Sequence, residues 1–257
     1  MEIFNQYSEY YDLFYEDKDY QGETIYLNQL IQNYNPGAKS ILDLGCGTGE
    51  HDFLLAQKGY SITGIDQSDF MLSLAKNKLS KINNNVSELI TFRNHDIRTL
   101  RLSKTYDVVI SMFHVMSYQQ TNEDMKCAIT TAYEHLEPGG IFIFDGWYGP
   151  GVLEDPPTER VKIVENDSVN VTRTAKPIFL RHDNQVEVNY HLLIRDKNTN
   201  QSKELSESHR MRYLFRPEIE LLLETCKLKL IYFSEMMKNH PPQHGQWNAC
   251  FIAKKEK

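Results

Sequence analysis

Three glycines at alternate positions, Gly45, Gly47 and Gly49, follow Asp43, and Glu50 comes directly after them. Glycines in this pattern make a turn that can reach positive φ and press bare backbone against a ligand. A short apolar run, Ser40 to Leu44, precedes the turn, and a periodic segment, His51 to Gln57, follows it. The order predicts a buried strand, a tight turn and a helix whose first N–H groups are unpaired. A dinucleotide fingerprint would have glycine at the place of Glu50, close to a pyrophosphate. A carboxylate there repels phosphate, so NAD or FAD is disfavoured. Asp66 closes the next predicted strand, Tyr60 to Ile65. An acid at that point can accept both hydroxyls of a ribose, because a carboxylate accepts hydrogen bonds and donates none.

A second set of reactive side chains follows Tyr106 to Met112, the most hydrophobic run and the predicted central strand. Ligands in open parallel sheets sit beyond the carboxyl ends of strands. Phe113, His114 and Tyr118 are therefore expected at the ligand rim, and Trp147 and Tyr148 reach the same rim from the end of the following strand. Candidate bases are His114, Tyr118 and the distant His209. The four cysteines, Cys46, Cys127, Cys226 and Cys250, show neither metal-ligand nor redox spacing, so reduced thiols and no metal are expected.

The motif from Asp43 to Gly49, taken with Asp66, resembles the first motif of class I S-adenosylmethionine-dependent methyltransferases. The resemblance implies an α/β fold: a doubly wound, mostly parallel seven-stranded sheet of the Rossmann-like methyltransferase type, with an N-terminal helical lid and an antiparallel β insertion. It implies S-adenosyl-L-methionine as cofactor, cupped by Asp43, Gly45, Cys46 and Gly47, with its ribose on Asp66 and its adenine between Gln67 and Met71. Asp96 would accept from the adenine amine and Ile97 would offer an N–H. Met112, Phe113 and His114 would lie at the methionine end. The segment Tyr11-Asp12-x-x-Tyr15, followed by Lys18-Asp19-Tyr20, resembles the cap of enzymes that methylate amino groups on nucleotide-linked sugars. That likeness implies Tyr15 over the cofactor, with Tyr11 and Lys18 toward substrate. Tyr118 stands where such enzymes often place a polar or basic residue near the acceptor nitrogen, so a histidine-base mechanism does not transfer directly. The implied activity is methylation of a small amine, an amino deoxysugar above all. The alternatives are an O-methyltransferase, an N-methyltransferase of another metabolite, and a non-catalytic cofactor-binding module.

These residues need a frame. The predicted divisions are a helical lid (1–35), a cofactor-binding core (36–156), a β insertion capping the substrate (157–213) and a C-terminal helix with strands completing the sheet (214–257). Tyr7, Tyr11, Phe14 and Tyr15 share one face of a first helix, and Tyr20 to Tyr34 reads as a second. Leu89 to Arg93 reads as the third strand. Asn122 to His135 reads as a helix, stopped by a turn at Glu137-Pro138-Gly139-Gly140 before the strand Ile141 to Phe144. Gly149 to Pro157 reads as a loop. Three alternating segments, Val161 to Arg173, Gln185 to Arg195 and Lys203 to Tyr213, read as the insertion. Its basic residues, Arg212 first, are candidates to bind a diphosphate. A helix from Arg216 to Cys226 and two antiparallel strands, Lys227 to Met236 and Trp247 to Ala253, complete the pattern.

The chain has 257 residues, 40% of them hydrophobic, and a formal net charge of −7. The acidic balance argues against general affinity for nucleic acid. No apolar run approaches the roughly 20 residues needed to span a bilayer, and the acidic, tyrosine-rich start is unlike a signal peptide. A cytoplasmic enzyme is expected, with the insertion as a possible homodimer surface.

Overall fold

A computed structural model describes residues 7–256, with side chains from residue 9 onward. A 3-10 turn at Tyr7–Tyr10 runs into α1 (Tyr11–Phe14), and α2 (Tyr20–Tyr34) follows. The side chain of Tyr7 lies outside the described residues. Asp19 caps α2 by accepting from the N–H of Gly22. The core then runs β1 (Ser40–Leu44), α3 (Glu50–Ala56), β2 (Ser61–Asp66), α4 (Asp69–Leu79), α5 (Asn84–Ser87), β3 (Ile90–Asn94), β4 (Tyr106–Ser111), α6 (Asn122–His135) and β5 (Leu136–Trp147). A short α7 (Gly149–Glu154) leads to β6 (Arg160–Glu165), β7 (Val169–Leu180), β8 (Gln185–Asp196) and β9 (Ser202–Arg212). The chain closes with α8 (Arg216–Thr225), β10 (Leu228–Glu235) and β11 (Asn248–Lys255).

Seven strands form one sheet in the order β10-β11-β5-β4-β1-β2-β3. From β5 to β3 all neighbours are parallel, while β11 runs antiparallel to both β5 and β10. A parallel sheet must be covered on both faces, so its strands are apolar on both sides. On one face Leu42, Leu44, Val109 and Phe144 pack against Met125 and Ile129 of α6 and Ile219 and Leu223 of α8. On the other, Ile41, Val108, Ile110 and Ile143 pack against Leu27 and Ile31 of α2, Phe53 and Leu55 of α3, and Leu72 of α4. The remaining strands make an antiparallel sheet, β6-β7-β8-β9. Phe14 is fully buried against its Val171, Leu192 and Ile194, so α1 bridges the two layers.

Three local expectations change. The Pro138-Gly139-Gly140 segment is not a turn before the strand: β5 begins at Leu136, which pairs with Tyr106, and the glycines sit in a register shift before Ile141. Val161 to Arg173 is not one strand but the hairpin β6–β7, broken at Asn166, whose side chain accepts from the N–H groups of Ser168 and Val169. The expected loop after Gly149 contains α7. Its Gly151 is packed so closely that an added Cβ would lie 1.9 Å from the carbonyl oxygen of Gln246.

Candidate active site

The glycine turn is tied to its surroundings by backbone geometry. The N–H groups of Gly45 and Cys46 both donate to the carbonyl of Ile65, at 2.7 and 2.9 Å. Gly45 has φ +89°, and a Cβ there would strike the two methyls of Val115 at 2.6 Å. No side chain can occupy that position. A Cβ on Gly47 would meet nothing within 4 Å. Asp66 draws the turn toward β2: its Oδ2 accepts from the N–H of Gly47 at 2.9 Å and its Oδ1 from Ser68 at 2.8 Å. Burial raises the Asp66 carboxyl above its ordinary range, and these N–H donors oppose that rise.

The turn forms the floor of a cleft of about 550 Å³ at the carboxyl ends of the parallel strands. The predicted residues Tyr15, Asp43, Gly45, Cys46, Gly47, Asp66, Gln67, Met71, Asp96, Ile97, Met112 and Phe113 line it, as do Tyr11, His114, Tyr118, Trp147 and His209. Sequence reasoning missed several neighbours, among them Tyr20, His51, Arg98, Gln119, Tyr190 and Met211. For Tyr190 the signal was present: it alternates with Val188 and Leu192 along β8, on the face that turns to the cleft.

Beneath the turn lie two acids. Asp43 is 3% exposed and Asp52 is fully buried. Burial, with the nearby charge of Asp66, raises Asp43 to about 6, although His51 pulls the other way. Burial and then the charge of Asp43 hold Asp52 well above the usual carboxylate range. Oδ1 of Asp43, at the cleft wall, has no hydrogen-bond partner among the described residues.

The lid supplies an aromatic wall. Tyr11 and Tyr15 lie 4.7 Å apart, and Tyr15 meets Phe113 edge-on at 5.0 Å. Phe113 and His114 have φ of +64° and +65°, unusual for non-glycine residues. The buried Asp145 holds this bend, accepting from the N–H of His114 at 2.9 Å, with His114 Nδ1 3.0 Å from its other oxygen. Asp12 fastens α1 to the glycine turn by accepting from the Thr48 hydroxyl at 2.9 Å. It also pairs with Lys78 at 2.7 Å.

Tyr118 and His209 meet across the two sheets. The Tyr118 hydroxyl lies 2.9 Å from Nδ1 of His209, which is 2% exposed. Tyr118 follows β4 and His209 is on β9, so the antiparallel layer completes the cleft from above.

Three expected substrate residues lie elsewhere. Arg212 does not line the cleft; it is 5% exposed and paired with Glu218 of α8 and with Asn122 at 2.6 Å. Tyr148 packs against Phe233, with ring centroids 5.6 Å apart, beneath the rim. Lys18 is bound by Glu23 and stands 4.6 Å above the Phe113 ring, behind the wall. Asp96 borders the cleft, but Arg98 forks its carboxylate through Nε and Nη2, which lowers its pKa. An adenine amine would compete with that guanidinium.

The residues fit S-adenosylmethionine. Asp43 and Glu50 suit a cationic ligand, Asp66 keeps acceptor capacity toward a sugar, and electron-rich ring faces attract a sulfonium. A family profile for a methyltransferase domain matches residues 41–140, from β1 to the start of β5. The chain is 28% identical to the dTDP-3-amino-3,4,6-trideoxy-alpha-D-glucopyranose N,N-dimethyltransferase of Streptomyces venezuelae, over 88% of this chain and 91% of that one. It is 25% identical to the dTDP-3-amino-3,6-dideoxy-alpha-D-glucopyranose N,N-dimethyltransferase of Streptomyces fradiae, over 97% and 92% of the two chains. The crystal structure of Streptomyces venezuelae DesVI superposes with a TM-score of 0.80 at 25% identity, covering 99% of this chain and 100% of the other. With its glycine turn, its buried Asp66 and its aromatic lid, the chain carries a methyltransferase domain over residues 41–140 and is an S-adenosylmethionine-dependent methyltransferase.

Proposed function

We propose that this enzyme methylates the amino group of a nucleotide-linked amino deoxysugar. The observation that carries this reading is the extent of the likeness to the two dTDP-aminosugar N,N-dimethyltransferases. It runs through the lid and the β6–β9 layer as well as the cofactor-binding core.

S-Adenosylmethionine, when bound, supplies an electrophilic methyl whose sulfur leaves without needing an acid. The protein's tasks are then alignment, exclusion of water and removal of one proton from an ammonium. Alignment alone can contribute up to about 7–11 kcal/mol in well-oriented systems. Tyr11, Tyr15 and Phe113 exclude water from the lid side. Tyr118, backed by His209, is the group in the cleft best placed to take the proton. With Arg212 held by Glu218, recognition of a nucleotide falls to other residues of the rim.

Among the described residues no helix is long and apolar enough to cross a membrane. A cytoplasmic setting belongs to the same proposal, because nucleotide sugars are made and used there. So does a homodimer: Val161, Ile163, Ile178 and Leu193 are all exposed on one face of the antiparallel sheet, which suits contact with a second copy. Sedimentation at micromolar concentration should give a dimer.

The direct test is incubation with labelled cofactor and a panel of amino- and hydroxyl-bearing sugar nucleotides. Label is expected on an amino sugar. Label found only on a hydroxyl acceptor would overturn the assignment.

A further inference from the structure

Along β9, Leu205, Glu207, His209 and Met211 alternate toward the interior while Ser206, Ser208 and Arg210 face out. Glu207 thus stands one inward position before His209. Its Oε2 lies 3.2 Å from His209 Nε2, and its side chain is 13% exposed. A carboxylate can only accept, so Nε2 must carry the proton in this contact. In a neutral imidazole the other nitrogen is then a lone pair, and Nδ1 is the atom that meets the Tyr118 hydroxyl. The three side chains form one directed chain: phenol O–H to Nδ1, Nε2–H to carboxylate. Other ionisable groups stand near His209. Tyr190 of β8 meets the imidazole edge-on at 5.0 Å, and burial raises its pKa to about 12, so it stays neutral. The guanidinium of Arg173 on β7 lies 5.1 Å from the Tyr190 ring centroid. Glu187 and Arg210 pair with each other on the opposite face of the sheet.

We infer that Glu207 is a positioning residue, which fixes His209 in the Nε2–H tautomer and stabilises its imidazolium so that Tyr118 can relay a proton out of the cleft. The inference rests on the amine acceptor proposed above. In the step, a substrate ammonium N–H bond breaks and a new Tyr118 O–H bond forms. The original phenol O–H breaks, and its proton bonds to His209 Nδ1. The products are a neutral amine, a neutral tyrosine and an imidazolium next to the Glu207 carboxylate; charge is conserved and no other reactant is needed. A base oriented by a third group is a recurring way to hold a weak base ready.

Nitrogen-15 NMR of the imidazole in the wild-type enzyme tests the geometry without any substrate. The expected signals are a protonated Nε2 and an unprotonated Nδ1. In Glu207→Gln the preference for the Nε2–H tautomer should weaken, since a charge-assisted hydrogen bond is exchanged for a neutral one. With an amino-sugar acceptor, the variant's kcat/KM should fall at every pH. Its plateau should drop about tenfold, and KM for the cofactor should stay within twofold. A wild-type Nδ1–H tautomer, or an unchanged tautomer balance in Glu207→Gln, overturns the inference. If the wild type methylates no amino sugar, the acceptor assignment fails, and the NMR result still decides whether Glu207 sets the tautomer.

Discussion

Asp66 accepts the N–H of Gly47 across 2.9 Å, so the acid proposed to hold a ribose also anchors the glycine turn. One side chain at the end of β2 therefore serves two strands. Its second oxygen accepts from Ser68 at the start of α4.

Replacing Asp66 with Ala should weaken cofactor binding by roughly 1.5–3 kcal/mol, the scale of hydrogen bonds to a charged group. Calorimetry gives the affinity directly. The loss of the Gly47 and Ser68 contacts should also lower the unfolding midpoint. An unchanged affinity would remove the ribose assignment.

Most of this arrangement was legible in the residues, for a physical reason. Strand, turn and helix around Gly45 are encoded locally, and Asp66 follows from the spacing of a βαβ unit. What escaped depended on partners remote in sequence. Arg212 looked available because the segment His209 to Tyr213 leads back into the core, yet Glu218, in the first turn of the next helix, claims it. Tyr148 looked exposed because it ends a strand, but Phe233 on β10 covers it. The β6–β7 hairpin was hidden because apolar residues flank a short Asn-Asp-Ser turn on both sides. The contact between Tyr118 and His209 joins residues on different sheets, and no periodicity can announce such a pair.

The acids below the turn make a prediction about pH. In the folded chain Asp43 titrates at about 6 and Asp52 well above its ordinary value, whereas both lose their protons near 3.8 when unfolded. The native state thus holds more protons in this window, and their contribution to stability falls as pH rises from about 4 through 6 and beyond. Asp52→Asn removes one of these titrations and keeps an N–H donor. The difference in urea-unfolding free energy, variant minus wild type, should rise with pH and reach about 1–3 kcal/mol at pH 8, the scale for an unsatisfied buried polar group. Parallel curves would show that the pair carries no such cost.

The lid contact can be loosened selectively. Asp12 binds both Thr48 and Lys78, and it is 43% exposed, so its ion pair is worth little for folding. Asp12→Ala should leave the melting temperature within about 2 °C. Cofactor release measured by stopped flow should speed up several-fold, about 0.5–1 kcal/mol, because α1 no longer clasps the turn. An unchanged release rate would show that the lid is held by Phe14 packing alone.

Arg212 should behave as a structural residue. Removing it leaves Glu218 facing a largely buried void without its guanidinium, and breaking such a pair costs about 2–4 kcal/mol. Arg212→Ala should therefore unfold at markedly lower urea, while the folded fraction keeps its acceptor KM. A selective rise in KM for the nucleotide sugar, at unchanged stability, would return Arg212 to the binding site.

Tyr118→Phe separates proton transfer from alignment. The substitution keeps the ring and its place in the cleft and removes only the oxygen that meets His209. If the phenol carries the proton, kcat should fall about 10²-fold, the lower range for loss of an acid–base group. The cofactor affinity should not change, because Tyr118 lies beyond the glycine turn and the ribose acid. The deficit should also narrow as pH rises, since an amine that reaches the cleft already deprotonated needs no acceptor. A uniform loss at every pH would instead assign Tyr118 to holding the substrate in line, with the proton lost to solvent before binding.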